Sequence, residues 1–256
     1  RLDGCLKEWA ARSSRARRRV AISGLGLFCA EVAKYAKMFT PDWDARLLRT
    51  NSRLEVLTSI YSLAMCDVWY SIGGPITDRW VHLAARLLRK PRVIHWVGSD
   101  IRMLAENHSL LPMLAVENAI HLAEVDWSAQ QLRDFGLRPR IVALPPRHLS
   151  PAVKPLPERF TVMLYVPRTR ADFYGRCAFE RLMRNLREHP IKYVVVGGGE
   201  LEAPDGVDVE NLGWRDSLTD TYERVSTLVR YTPRDGLSLM AVSYTHLRAH
   251  ETGRNL

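Results

Sequence analysis

Ile191-Lys-Tyr-Val-Val-Val-Gly-Gly-Gly199 is the stretch whose reading decides the fold. Its β-branched run has the length of a strand and no polar–apolar alternation, which predicts a strand buried on both faces. The glycines that end it predict a tight turn with open backbone. The pattern recurs on either side. Phe160–Val166 reads as a strand, and Tyr174–Glu188 as a helix with Phe179, Leu182 and Leu186 on its apolar face. Val209–Trp214 reads as a short strand and turn, Thr221–Leu228 as a helix and Val229–Tyr231 as a final strand.

The first part of the chain alternates in the same way. Arg19–Ser23 reads as a strand ending at Gly24-Leu-Gly26, followed by Phe28, Val32, Tyr35, Ala36 and Phe39 at helical spacing. Cys66–Ile72 is a strand ending at Gly73-Gly74-Pro75, and Asp78–Leu88 a helix with Trp80, Leu83, Ala84 and Leu87 on one face. Arg92–Val97 is a strand ending at Gly98-Ser99-Asp100. Ala123–Asp126 is a short strand, Ser128 caps a helix over Ala129–Phe135, and Arg140–Leu144 runs into Pro145-Pro146. Strands and helices alternating at this spacing predict parallel sheets covered on both faces. Pro145, Pro146, Pro151, Pro155 and Pro157 stiffen the join between the two series.

The expected architecture is therefore α/β, with two Rossmann-like doubly wound domains. A basic extension covers 1–18, the first domain 19–150, a linker 151–159 and the second domain 160–241. Ligand crevices are expected at the carboxyl ends of the strands, facing each other. The turn glycines Gly24 and Gly26 let a ligand approach the backbone, and the helix after them aims its N–H groups at an anion.

With 256 residues, 46% of them hydrophobic and 25% charged, the chain has the composition of a water-soluble globular protein. No apolar run reaches the ~18–20 residues needed to cross a bilayer. The chain starts at Arg1 without a methionine, so its N-terminus is expected to be truncated. The formal net charge is +9, and Arg12, Arg15, Arg17, Arg18 and Arg19 concentrate part of it. Such a basic face attracts phosphates, nucleic acid or an anionic membrane surface; its competing reading is a solvated, arginine-rich surface. Cys5, Cys29, Cys66 and Cys177 show no CxxC spacing. Neither a metal site nor a disulfide is expected, and a reducing cytoplasm fits them.

Five features of the second half come in a fixed order. They are Pro167-Arg168-Thr169-Arg170, Phe173-Tyr174-Gly175, Val194-Val-Val-Gly-Gly-Gly199, Asn211-Leu-Gly-Trp214 and Asp235-Gly-Leu-Ser238. This order resembles that of the retaining family 4 glycosyltransferases of the GT-B fold, well over 160–241 and more loosely over 19–150. The resemblance implies a nucleotide-diphosphate sugar as donor and a glycan, lipid or small-molecule hydroxyl as acceptor. It implies no cofactor, no metal and no nucleic-acid partner. The protein would be cytoplasmic, with peripheral contact at the inner face of the membrane.

The resemblance places Arg168 or Arg170 on the diphosphate, where a guanidinium offers bidentate geometry and permanent charge. It places Gly24, Gly26, Gly198, Gly236, Leu237 and Ser238 on the donor side, the last three as backbone donors at a helix start. Asp235 would hold a sugar hydroxyl. His95, at a strand end, would reach the transferred sugar across the cleft; its competing role is a satisfied core histidine. Asp100 would cap the next helix or orient His95.

Two features depart from the family pattern. Tyr174-Gly175 stands where a Lys-Gly pair belongs, and Ser243 stands where a second acid is due. Val242–Thr252 resembles the translation of a transposon-type sequencing adapter. The natural sequence is therefore expected to end near Ala241, with 243–256 packing poorly, holding no site and leaving this chain inactive. The competing functions are a GT-B-fold nucleotide-sugar epimerase and a non-catalytic nucleotide-binding module.

Overall fold

The computed structural model describes residues 18–40, 42–49, 52–73, 79–107, 119–144, 155–233, 238 and 240–245. The chain divides into two units, Arg1–Pro146 and Arg147–Leu256.

The first unit is a parallel sheet in the order β2-β1-β3-β4-β5-β6. Its strands are β1 (Arg18–Gly24), β2 (Trp43–Leu47), β3 (Val68–Ile72), β4 (Arg92–Trp96), β5 (Ala119–Ala123) and β6 (Pro139–Ile141). Its helices are α1 (Gly26–Phe39), α2 (Arg53–Met65), α3 (Arg79–Leu87), α4 (Ser99–Glu106) and α5 (Asp126–Asp134). Every residue of β3 and β4 is buried, Ser71, Arg92 and His95 included, as in a sheet covered on both faces. Alternate residues feed the two layers: Val20, Ile22 and Tyr70 pack with Val32 of α1, and Ala21 and Trp69 pack with Leu63 of α2 and Val81 and Ala85 of α3.

The strand order reverses at β1, and the glycine turn sits at that reversal. Gly24 has φ +115°, and a Cβ there would stand 1.8 Å from the carbonyl oxygen of Ile72. That same oxygen accepts the N–H of Leu25 at 3.1 Å. Gly24 is thus demanded by the close approach of β1 to β3, independently of any ligand.

The second unit is a smaller parallel sheet in the order β10-β7-β8-β9. It comprises β7 (Thr161–Tyr165), α6 (Arg176–Asn185), β8 (Lys192–Val196), β9 (Asp208–Gly213), α7 (Thr219–Glu223) and β10 (Thr227–Val229). One face of the sheet buries Val162, Leu164 and Tyr193 with Phe179 and Met183 of α6. The other buries Met163, Val194 and Val196 with Tyr222 and Val225.

Several expected elements are corrected. β2 and α2 lie in a stretch to which no element was assigned; Ser52 caps α2 by accepting the N–H of Glu55 at 3.2 Å. Ser128 is not an N-cap. It sits in the first turn of α5 and exchanges bonds with the backbone of Val125, so the helix begins at Asp126. The helix expected over 221–228 ends at Glu223, because Ser226 clamps the chain to β7: its N–H donates to the Thr161 carbonyl at 2.7 Å and its hydroxyl accepts the Thr161 N–H at 3.0 Å. In α3 the buried side is Val81, His82 and Ala85, whereas Leu83 and Leu87, expected in the core, face outward at 39% and 75% exposure.

The tail is also corrected in part. Residues 240–245 are helical, Ser243 is buried, and the Tyr244 hydroxyl donates to the Ser226 carbonyl at 2.6 Å while its ring packs near Tyr222. Two side chains suffice here because the pocket they enter is already built by α7 and β10. Residues 246–256, including His246, His250 and Glu251, lie outside the described residues.

Gly24→Ala should cost at least about 2 kcal/mol, since it combines backbone strain with a clash against a strand carbonyl that cannot move alone. Urea unfolding followed by tryptophan fluorescence checks this. The contrasting Gly26→Ala, whose Cβ would meet nothing within 4 Å, should change stability by less than about 1 kcal/mol.

Candidate functional site

The second unit opens a groove of about 540 Å³ at the carboxyl ends of β7, β8 and β9, lined by Arg168, Gly197, Gly198, Glu200, Gly213 and Trp214. Open parallel sheets bind ligands at this end, because the loops there are free of the sheet's own hydrogen bonding.

The groove's floor is backbone, and glycine is what permits it. Gly197 and Gly198 adopt φ +112° and +85°. A Cβ on Gly197 would stand 2.7 Å from the Val166 carbonyl oxygen, and one on Gly199 2.7 Å from that of Pro167. Only hydrogens at these positions let the turn after β8 lie flat on the turn after β7. Gly199 N–H then donates to the Val166 carbonyl at 2.9 Å, and Pro167 forms a bridge with Gly198. A register shift at Val195/Val196 sets Val196 opposite Gly213, and the Gly197 N–H reaches the Gly213 carbonyl at 3.0 Å. Asn211 ties Leu201 down through both its amide oxygen and its nitrogen at 3.3 Å, which fixes the segment carrying Glu200.

Three side chains of different chemistry stand around this floor. Arg168 leaves the end of β7 exposed, and no described residue pairs with its guanidinium. Glu200 is an exposed acid on the opposite turn. Trp214 is 69% exposed, and its indole N–H donates to Asp216 at 3.2 Å, which orients the ring. A large aromatic surface left this open, and held in place, is a stacking face. Arg170 is also exposed but does not line the groove; it takes φ +61°, turning the chain toward Ala171.

At the switch point of this sheet, between β7 and β10, Arg230 lies over the rings of Tyr165 and Tyr174 at 5.0 and 5.5 Å from their centroids. Gly175, φ +88°, seats the β7 loop on Tyr231, where a Cβ would come within 2.7 Å of the ring. Glu200 and Arg230 were not among the expected site residues. Glu200 was visible as a charged residue just beyond a predicted strand and its glycine turn, whereas Arg230 lay inside the strand expected over Val229–Tyr231, which the structure ends at Val229.

Asp235, Gly236 and Leu237 lie outside the described residues. Ser238 acts as a cap: its carbonyl accepts the Val242 N–H at 2.9 Å and its hydroxyl accepts the Ala241 N–H at 3.4 Å.

His95 departs from its expected placement. It lies within β4, fully buried, with Nδ1 2.6 Å from the Tyr70 hydroxyl. Burial holds its pKa down at about 4, while the Val142 backbone acts weakly the other way. The ring is neutral, and it is a core group of the first unit. Asp100 is also buried and sits in the first turn of α4, whose N-cap is Gly98. Its carboxylate accepts the N–H groups of Val97, Gly98 and Ile101 at 2.8–3.2 Å. Burial pushes its pKa up to about 6 against those same hydrogen bonds.

No family model matches the chain, and no curated protein matches it. Solved structures similar to it include the glycosyltransferase SnogD from Streptomyces nogalater, at a TM-score of 0.49 and 14% identity over 90% of this chain and 80% of that one. The spinosyn forosaminyltransferase SpnP gives 0.39 and 14% over 83% and 74%, and the glycotransferase of kitacinnamycin 0.39 and 14% over 90% and 84%. The reading of activity rests on the groove itself.

His95 and Asp100 titrate with opposite effects on stability. Between about pH 6.5 and 4 the unfolded chain binds the His95 proton and the folded one does not, so this group lowers stability as pH falls. Between about pH 6 and 3.8 the folded chain holds the Asp100 proton that the unfolded one has released, so this group raises stability as pH falls. Relative to wild type, His95→Gln should tilt the stability curve toward the acid side and Asp100→Asn toward the neutral side. Urea midpoints at pH 4, 5, 6 and 7 check the pair; equal slopes in both variants would overturn the assignment.

Proposed function

We propose that the chain is a glycosyltransferase of the GT-B type that moves a sugar from a nucleotide-diphosphate sugar to an acceptor hydroxyl, with the donor held by the second unit. The observation that carries this reading is the glycine-floored groove walled by Arg168, Glu200 and Trp214. Each wall matches one part of such a donor. The indole face suits a nucleobase, which every nucleotide offers as a flat π surface. The guanidinium suits the diphosphate, binding two oxygens at once. The acid accepts hydrogen bonds from ribose or sugar hydroxyls. The bare backbone lets all of these approach closely.

The family resemblance extends this to retention of configuration without a metal. In that chemistry the bond from the anomeric carbon to the diphosphate oxygen breaks as the bond to the acceptor oxygen forms, on the same face of the sugar. The acceptor proton passes to the departing diphosphate. What the protein must supply is stabilisation of the charge that grows on that leaving group. Arg168 is assigned this role, with Asp235 and the backbone of Gly236–Ser238 as its partners.

Isothermal titration with UDP, GDP, ADP and dTDP tests the proposal. Arg168→Ala should weaken the preferred diphosphate by about 1.5–3 kcal/mol, the range for hydrogen bonds to a charged group. Trp214→Ala should weaken it by about 1–3 kcal/mol, through lost stacking. Arg170→Ala, outside the groove, should change affinity by less than about 0.5 kcal/mol. Wild-type affinity in both Arg168→Ala and Trp214→Ala would sink the assignment.

A further inference from the structure

Helix α2 presents Leu54, Leu57, Ile60, Tyr61 and Met65 to solvent, at 71%, 65%, 42%, 65% and 38% exposure. Its inner side buries Leu63 against the sheet and Ser59, whose hydroxyl is held by the Arg49 backbone. Here one side is covered by the sheet, and among the described side chains the exposed positions of the outward side carry no charge, the remaining ones being Thr58 and Ala64. The neighbouring α3 adds Leu83 and Leu87, and the turn after it Leu88, all exposed, while its inner side uses the small residues Val81 and Ala85 to reach Trp69. These outward leucines do no work in the core of the unit. Contiguous apolar surface of this kind marks an interaction site.

The exposed charges of the turn beside it are basic. Arg86 and Arg89 are exposed at the carboxyl end of α3. Lys90 reaches across to α2, where its ammonium donates to the Ala64 and Cys66 carbonyls at 2.6 and 2.8 Å. That bond fixes the basic turn beside Met65. Across 53–65 and 79–90 the only acid is Glu55, in the first turn of α2.

We propose that the α2–α3 face docks on an anionic lipid surface, the apolar residues entering the headgroup boundary and Arg86, Arg89 and Lys90 meeting lipid phosphates. This reading is independent of the donor groove. Among the described residues no helix is long and apolar enough to cross a membrane, and α2, about 20 Å long, lies on the surface rather than through it. A second copy of the chain fits the face less well. In a two-fold interface the single Glu55 of each copy would have to offset the three cations of the other's basic turn. An anionic bilayer offers charges complementary to that turn and an apolar layer beneath them.

Flotation with vesicles of phosphatidylcholine alone, or of phosphatidylcholine with a quarter phosphatidylglycerol, tests the proposal on the full chain. The protein should float with the anionic vesicles, and 0.5 M salt should release much of it. Adding those vesicles should slow amide exchange in 53–65. Leu57→Glu with Tyr61→Glu, and separately Arg86→Glu with Arg89→Glu, should each weaken binding by about tenfold or more. The second pair keeps the test open if the first fails to fold. Equal binding to neutral vesicles, no binding to either, unchanged exchange in 53–65, or a dimer in light scattering that Leu57→Glu with Tyr61→Glu dissociates would overturn it.

Discussion

The contact on which the second unit's site depends is between two turns, where the Gly197–Gly199 backbone lies on the carbonyls of Val166 and Pro167. Side chains at Gly197 and Gly199 would push the β8 turn away by steric force alone. Without that seating, Gly198 would lose its bridge to Pro167, and the wall carrying Arg168 would separate from the wall carrying Trp214. The groove is thus a consequence of backbone packing first and of side-chain chemistry second. This order is physically sensible for anion binding. Backbone packing positions the turns before any ligand arrives, so little ordering entropy remains to oppose binding.

The same logic runs differently in the first unit. Gly24 also sits at a strand end with positive φ, and the obvious reading was a turn opened for a ligand. Its neighbour is instead the Ile72 carbonyl, 1.8 Å from where a Cβ would stand. Here the glycine serves sheet closure. Sequence alone does not separate these two uses, because both demand a missing side chain; they differ only in what occupies the space.

Much of the fold was legible because buried strands announce themselves. Ile191–Val196, Phe160–Val166 and Arg92–Trp96 are short, largely apolar and glycine- or proline-bounded, and the structure places a strand of a parallel sheet in each. The Arg168 and Gly198 positions followed from strand ends, and both line the groove. His95 was misplaced for a specific reason. A histidine near a strand's end reads as cleft-facing, but this one packs in the core beside Tyr70 on the adjacent strand, 25 residues away in sequence, whose hydroxyl lies 2.6 Å from Nδ1. Glu200 was passed over because a lone acid after a glycine turn has no distinguishing pattern until Asn211 is seen anchoring the residue beside it.

The helices on the first unit's outer layer show where periodicity misleads. In α3 the large residues Leu83 and Leu87 mark an apolar stripe, and hydrophobic patterning assigns that stripe to the core. The sheet beneath is already filled by Trp69, so only the small Val81 and Ala85, with buried His82, approach closely enough to pack. Close packing at crystalline density selects by volume as well as by polarity. The large apolar side chains are consequently displaced outward, together with those of α2, to a surface that the unit's own core does not use. Surface leucines scattered singly need no explanation. A neighbouring set on two adjacent helices, beside a basic turn held in place by Lys90, is a different case, because burying it against something else recovers hydrophobic stabilisation that folding of the unit leaves unrealised.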